Sequence, residues 1–163
     1  MQTFLPFPSF ARSARALDRP RLGKQRVECV QLLRALTGET EGYRRHPAAL
    51  MWEEYEQALG LYAIAVCGEW TSRGYRDNCA AQVRELITVP EGITLPQMKA
   101  DGNLPWWFGS RRFHRAHQSN LLRKNPARYD TIFPDVPDDL PYAWPQPEPG
   151  VFRYKHAGLP WLN

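Results

Sequence analysis

Arg21-Leu22-Gly23-Lys24-Gln25-Arg26-Val27-Glu28 crowds charged and amide side chains into a stretch that also reads as the start of a helix. At ~3.6 residues per turn, Arg21, Lys24, Gln25, Glu28 and Gln31 share one face. Leu22, Cys29, Val30, Leu33 and Leu36 fall roughly on the opposite face. One carboxylate among cations on a rigid polar stripe suits an anionic substrate that is also attacked by an acid or base. The plainer reading is a solvated stripe paired at i,i+4 through Lys24 and Glu28.

Outward from this stretch the helix signals recur. Ser9 caps a short helix to about Leu17, and Asp18 or Arg19 caps the next, with Pro20 in its first turn. That second helix stops near Gly38. After a Gly- and Arg-rich loop, Pro47 opens the longest periodic segment, which runs to Arg73-Gly74. Trp52, Tyr55, Leu59, Tyr62, Val66 and Trp70 recur there at steps of three or four, the spacing of a core helix. Gly60 and Gly68 permit a bend. Asp77 caps a helix to about Ile87, and residues 88–109 read as a long loop broken by Pro90, Gly92, Pro96, Gly102 and Pro105. Ser110 opens a helix reaching Asn125, and Pro126 starts one more turn.

Residues 133–163 hold seven prolines alongside Phe133, Tyr142, Trp144, Phe152, Tyr154 and Trp161, an aromatic density that argues for packing rather than disorder. No segment of useful length has the strand period, and no repeat is present. The expected fold is all-α: one compact helical-bundle domain over residues 1–163. It comprises a helical body (1–132) and a long irregular Pro/aromatic-rich tail (133–163). The helices at about 20–37 and 47–73 are expected to pack through Leu22, Val30, Leu33, Leu59, Tyr62 and Val66.

With 163 residues, 43% of them hydrophobic and 23% charged, the chain has the make-up of one soluble globular domain. No apolar run approaches the ~20 residues of a membrane span. Met-Gln-Thr-Phe-Leu-Pro-Phe-Pro lacks the pattern of a secretory signal. Cys29, Cys67 and Cys79 are an odd set without a Cys-x-x-Cys pair, which favours buried thiols and a cytoplasmic setting. From Tyr129 onward there are two basic and five acidic residues, which leaves nineteen basic and twelve acidic before it, a net of +7. Such a body suits a polyanion.

The 110–125 helix carries Arg111, Arg112, Arg115, Arg123 and Lys124, plus His114 and His117, and no acidic residue. Phosphate contact is the natural use of such a helix, against the alternative of a solvated basic face. His114-x-x-His117 lacks a third ligand at helical spacing, so phosphate-binding or hydrogen-bonding histidines are expected rather than a metal pair. His46 precedes Pro47 at a helix N-terminus, where it either meets an anion or simply caps the helix. Trp106-Trp107-Phe108 reads as core, with stacking on a base as the alternative.

In order and spacing these motifs resemble the pyrimidine dimer DNA glycosylase family, of the phage endonuclease V type, and most nearly a bacterial branch of it. Three stretches carry the resemblance: Arg21 through Glu28; His46 through Gly74 with Tyr55, Leu59, Glu69 and Arg73; and Ser119-x-Leu121-x-x-Lys124-x-Pro126-x-x-Tyr129. Together they hold 48 residues, spread between Arg21 and Tyr129. The resemblance implies an all-α enzyme that binds damaged duplex DNA as a monomer, without metal or cofactor, and moves a nucleotide out of the stack. A free N-terminal amine attacks the sugar C1′, and the resulting imine supports strand cleavage by β-elimination. An α-amine with an ordinary pKa of ~7.7–8.0 is partly neutral near physiological pH, hence nucleophilic. Glu28 matches the family's catalytic glutamate.

Two positions depart from the family pattern. The family type exposes a threonine amine after losing its initiator methionine, whereas Gln2 is too large for that removal. Met1 is therefore expected to stay and to supply the amine, or the role passes to Lys24. Asn120 stands where the backbone-contacting helix usually carries arginine. The expected catalytic set is Glu28, Met1 and Lys24. The expected DNA contacts are Arg21, Gln25, Arg26, His46, Arg111, Arg115, His117, Ser119, Asn120, Arg123 and Lys124. The alternatives are a non-catalytic binder of distorted duplex and an N-glycoside hydrolase acting on a small nucleoside.

Overall fold

The computed structural model describes residues 1–156 and the backbone of 161–162. The described chain is mainly helical: α1 (Phe10–Ala16), α2 (Arg19–Leu36), α3 (Pro47–Leu50), α4 (Glu56–Ser72), α5 (Cys79–Leu86), α6 (Leu95–Ala100), α7 (Arg111–Lys124) and α8 (Pro126–Tyr129). Three short strands follow: β1 (Tyr142–Pro145), β2 (Phe152–Lys155) and β3 (Trp161–Leu162). Among the described residues, no helix is long and apolar enough to cross a membrane.

Local chemistry sets the helix ends. Ser9 Oγ accepts the Arg12 N–H at 3.3 Å, and Asp18 Oδ1 accepts the Arg21 N–H at 3.0 Å. Pro20 sits in the first turn of α2, where its missing N–H costs nothing. Beyond Leu36, Gly38 turns the chain with φ +82°. Asp77 Oδ2 accepts the Ala80 N–H at 2.9 Å at the head of α5.

The core forms where α2 meets α4. Leu22, Val30 and Leu33 of α2 and Leu59, Tyr62 and Val66 of α4 are all buried, as the apolar spacing requires. Gly23 lets Trp70 approach: a Cβ there would stand 3.1 Å from the indole ring. Gly60 is tighter, because a Cβ would fall 2.3 Å from Ile87 Cδ1. Its role is close approach, not the expected bend. Cys29, Cys67 and Cys79 are buried free thiols.

Three expectations need correction. The 47–73 segment is two helices, interrupted at residues 51–55, where Glu54 adopts φ +70°. The interruption seats Trp52 in the core, its indole N–H donating to Thr3 Oγ1 at 2.9 Å and its ring edge-on to Trp107. Within the 88–109 loop, Thr94 and Gln97 form a capping box that starts α6. Pro96 lies in the first turn of α6, where proline starts a helix rather than breaking one.

The tail is not wholly irregular, and the fold is therefore not all-α. β1 pairs antiparallel with β2, Tyr142 opposite Lys155 and Trp144 opposite Arg153, and β2 pairs antiparallel with β3. These strands are too short and too proline-punctuated to show a period of two in sequence. β1 packs on α7, burying Ala143 and Trp144. The expected packing of the Trp161 side chain lies outside the described residues.

Candidate active site

Residues 1–6 adopt no regular element, yet Gln2, Thr3, Phe4 and Leu5 are all buried. A buried backbone must find partners for its N–H and C=O groups, and here side chains from α1, α2, α4 and α7 supply them. Gln25 accepts the Phe4 N–H at Oε1 (2.8 Å) and donates from Nε2 to the Gln2 carbonyl (2.9 Å). Tyr62 donates its hydroxyl to the Phe4 carbonyl at 2.5 Å. The Leu5 N–H donates to His117 Nδ1 at 3.0 Å, and His114 Nδ1 meets the Leu5 carbonyl at 2.7 Å. Gln118 donates to the Pro6 carbonyl at 2.7 Å, and Ser13 bonds both backbone groups of Phe7.

These bonds fix the histidine tautomers. His117 accepts at Nδ1, so its ring proton sits on Nε2, which has no partner. Burial, with His114 nearby, drives its pKa down to about 3. His114 accepts the Gly109 N–H at Nε2, so Nδ1 is its donor to Leu5. Both rings are neutral anchors for the N-terminal segment.

The segment so anchored delivers the Met1 α-amine to Glu28. The amine nitrogen lies 3.9 Å from Glu28 Oε1, and Lys24 Nζ lies 3.7 Å from the same oxygen. Glu28 is 8% exposed. Burial raises its carboxyl pKa above the ordinary glutamate value, against the opposing pull of the Met1 ammonium and Lys24 and a hydrogen bond from the Gln2 backbone. The two residues differ in freedom: the Lys24 side chain is 73% exposed, whereas the Met1 side chain is 4% exposed and pins the residue that carries the amine.

This cluster opens on a cleft of about 390 Å³, lined by Met1, Arg21, Lys24, Glu28 and Lys124, with Tyr142 and Trp144 from β1. The Lys124 pKa is lowered by burial and then by the positive charges of Arg21 and Lys24. Arg21 pairs with Asp18 at 2.5 Å and donates to the Lys124 carbonyl at 3.0 Å, so α2 and the end of α7 are tied at the cleft. Burial pushes the Tyr142 hydroxyl up to about 12, with Arg123 opposing and Glu28 reinforcing that shift.

Among the residues expected at the site, Met1, Arg21, Lys24, Glu28 and Lys124 come together at this cleft. Arg111 is exposed at the start of α7, and His46 does not line this cleft but stands edge-on to Trp144, which does; burial and then the Met1 ammonium lower the His46 pKa. His46 accepts the Ala48 N–H at 3.0 Å, capping the four-residue α3, and lines a second cleft of about 510 Å³ with Arg45, Trp144, Arg153 and Lys155. The remaining expected DNA contacts have internal partners. Gln25 and His117 hold the N-terminal segment. Arg26 is paired with Asp77 and stacked 4.3 Å from the Trp70 ring centre. Ser119 Oγ accepts from the Leu140 N–H at 3.0 Å. Asn120 donates to the Ala116 carbonyl at 2.6 Å and accepts from Arg123. Arg123 also donates to the Asp138 and Leu140 carbonyls, and Arg115 to the Asp135 carbonyl at 3.1 Å.

The basic α7 is thus a central helix whose inner face is buried and whose arginines 115 and 123 staple the tail. Trp107 is core, its indole N–H donating to the Met51 carbonyl at 3.0 Å. Gln2, Phe4, Tyr142 and Trp144 were not among the expected site residues. The apolar density of residues 4–7 signals a buried N-terminal segment, but nothing in the sequence marks Tyr142 and Trp144 as neighbours of Glu28.

A family model described as pyrimidine dimer DNA glycosylase matches residues 1–83, the stretch that contains Met1, Lys24, Gln25 and Glu28. Comparison with curated proteins and with solved structures gives no match.

Proposed function

The chain belongs to the pyrimidine dimer DNA glycosylase family, and we propose that it excises pyrimidine-dimer lesions from duplex DNA with the Met1 α-amine as nucleophile and Glu28 as its acid–base partner. Family membership supports the substrate and the reaction class: DNA, and cleavage of a base–sugar bond. The observation that carries the residue assignment is the buried Glu28 carboxylate, 3.9 Å from the Met1 nitrogen at the wall of an open cleft.

The neutral amine attacks C1′ of the damaged nucleotide while the glycosidic bond breaks, its electron pair leaving with the pyrimidine. The carboxylate of Glu28 stabilises the positive charge that grows on the sugar and then relays protons as the ring opens to the imine. Loss of a proton from C2′ expels the 3′-phosphate by β-elimination, and hydrolysis of the imine returns the amine. A carboxyl group whose pKa is raised by burial exchanges protons more readily near neutral pH than an exposed glutamate. A cleft of about 390 Å³ lies within the size range of small-ligand sites, suited to a nucleoside turned out of the stack. Arg21, Lys24 and Lys124 supply cationic contacts for the flanking phosphates.

Glu28→Gln tests this directly. It keeps the shape and removes the charge, so single-turnover excision on a dimer-containing duplex should fall by on the order of 10²–10³. Affinity for that duplex should hold or tighten, because a carboxylate facing phosphate is gone. Excision within a few-fold of the parent would make Glu28 an ion-pair partner only.

A further inference from the structure

We infer that Gln25 is a positioning residue for the amine: its carboxamide fixes the backbone from which the amine reaches Glu28, while the buried Met1 side chain holds the other end of that residue. The inference rests on the proposed role of Met1 and extends it to a residue that has no contact with substrate.

Gln25 lies one turn before Glu28 on the same face of α2 and is 1% exposed. Its carboxamide bonds the Gln2 carbonyl and the Phe4 N–H, two backbone groups on one edge of an extended segment. That is the pairing a neighbouring strand would provide, compressed into a single side chain. The orientation of the amide is fixed, because only its oxygen accepts from an N–H and only its nitrogen donates to a carbonyl. Residues further along are held by other groups: Tyr62 at Phe4, His114 and His117 at Leu5, Gln118 at Pro6. Among the described side chains, Gln25 is the one bonded to the Gln2 carbonyl, the last backbone anchor before the amine. The Gln2 backbone also lies near enough to Glu28 to help draw its carboxyl pKa down. Amine, Gln2 and carboxylate are therefore registered on α2 by two side chains one turn apart.

The shape of Gln25 is matched by methionine, which can make neither bond. Gln25→Met leaves the cations of the cleft in place, so affinity for a duplex bearing a tetrahydrofuran abasic analogue should change less than three-fold. The rate of borohydride-trapped adduct formation at Met1 on an abasic duplex should fall at least ten-fold, since small misplacements of a reacting group carry large rate losses. Peptide mapping should also show the share of adduct on Lys24 rising, because Lys24 is positioned independently of the clamp. A core variant on α5, Val83→Ala, which lowers Tm without touching the segment, should move neither the rate at Met1 nor the Met1-to-Lys24 partition.

Gln25→Glu gives a second handle if the methionine variant fails to fold. Ionised, the new carboxylate cannot donate to the Gln2 carbonyl; protonated, it restores both bonds. The parent-to-variant rate ratio should therefore narrow as pH is lowered. Glu28, the Met1 ammonium, Lys24 and Cys29, with Tyr62, His114 and His117 on the helices that hold the same segment, are titratable groups near it, and the parent shares them all. Met1 trapping in Gln25→Met at the parent's rate and partition overturns the positioning role alone. An absence of Met1 adduct in the parent overturns the nucleophile assignment and this inference with it.

Discussion

The Met1 α-amino nitrogen stands 3.9 Å from Glu28 Oε1, joining the first residue of the chain to the middle of α2. A chain terminus is ordinarily its most frayed part. Here the residues behind the amine are buried, and their carbonyl and N–H groups are bonded to side chains of four helices. The cost of ordering the amine is met during folding, so it need not be met when DNA binds.

His117 makes this anchoring sensitive to acid. Its pKa is about 3 in the folded protein and ordinarily ~6.5 in an unfolded chain. Between those values the unfolded state binds the extra proton, so stability rises with pH and is lost as pH falls from about 6.5 toward 3. Asparagine places an oxygen near the position of Nδ1 without titrating there. Thermal unfolding of the parent should lose Tm steeply from pH 6.5 to 4, and His117→Asn should show a shallower loss over the same range. Parallel curves would mean that His117 does not govern the acid response.

The salt dependence of DNA binding separates cations that face the cleft from those that hold the fold. Each phosphate neutralised adds about 0.9 to the log–log slope. Lys24→Ala combined with Lys124→Ala should shallow that slope by roughly 1.8 for a dimer-containing duplex. Arg123→Ala should instead lower Tm, because Arg123 bonds the Asp138 and Leu140 carbonyls and Asn120. A slope unchanged in the lysine double variant would remove the cleft from the DNA interface.

The helices around the site were legible because their signals are local. Asp18 and Pro20 start α2, Gly38 ends it, and the apolar spacing of Leu22, Val30, Leu33, Leu59, Tyr62 and Val66 selects the faces that pack. Glu28, Lys24, Arg21 and Lys124 could be named for the same reason, as charges on helix faces. What sequence could not supply was the burial of one polar face. Gln25 and His117 look like surface groups on a helical wheel, and only the path of residues 1–6 turns them into internal partners. Arg26 reads as a free cation until Asp77, 51 positions away, is brought beside it. The tail hairpin was hidden because four-residue strands between prolines carry no usable period, so Tyr142 and Trp144 could not be placed at the cleft.

The most direct measurement of the central claim is borohydride trapping on an abasic-site duplex followed by peptide mapping of the adduct. The account predicts a covalent adduct on the α-nitrogen of Met1 in the parent protein, reduced on the order of 10²-fold in rate by Glu28→Gln, because imine formation then lacks its proton relay. An adduct confined to Lys24, or no adduct with base excision intact, would contradict it.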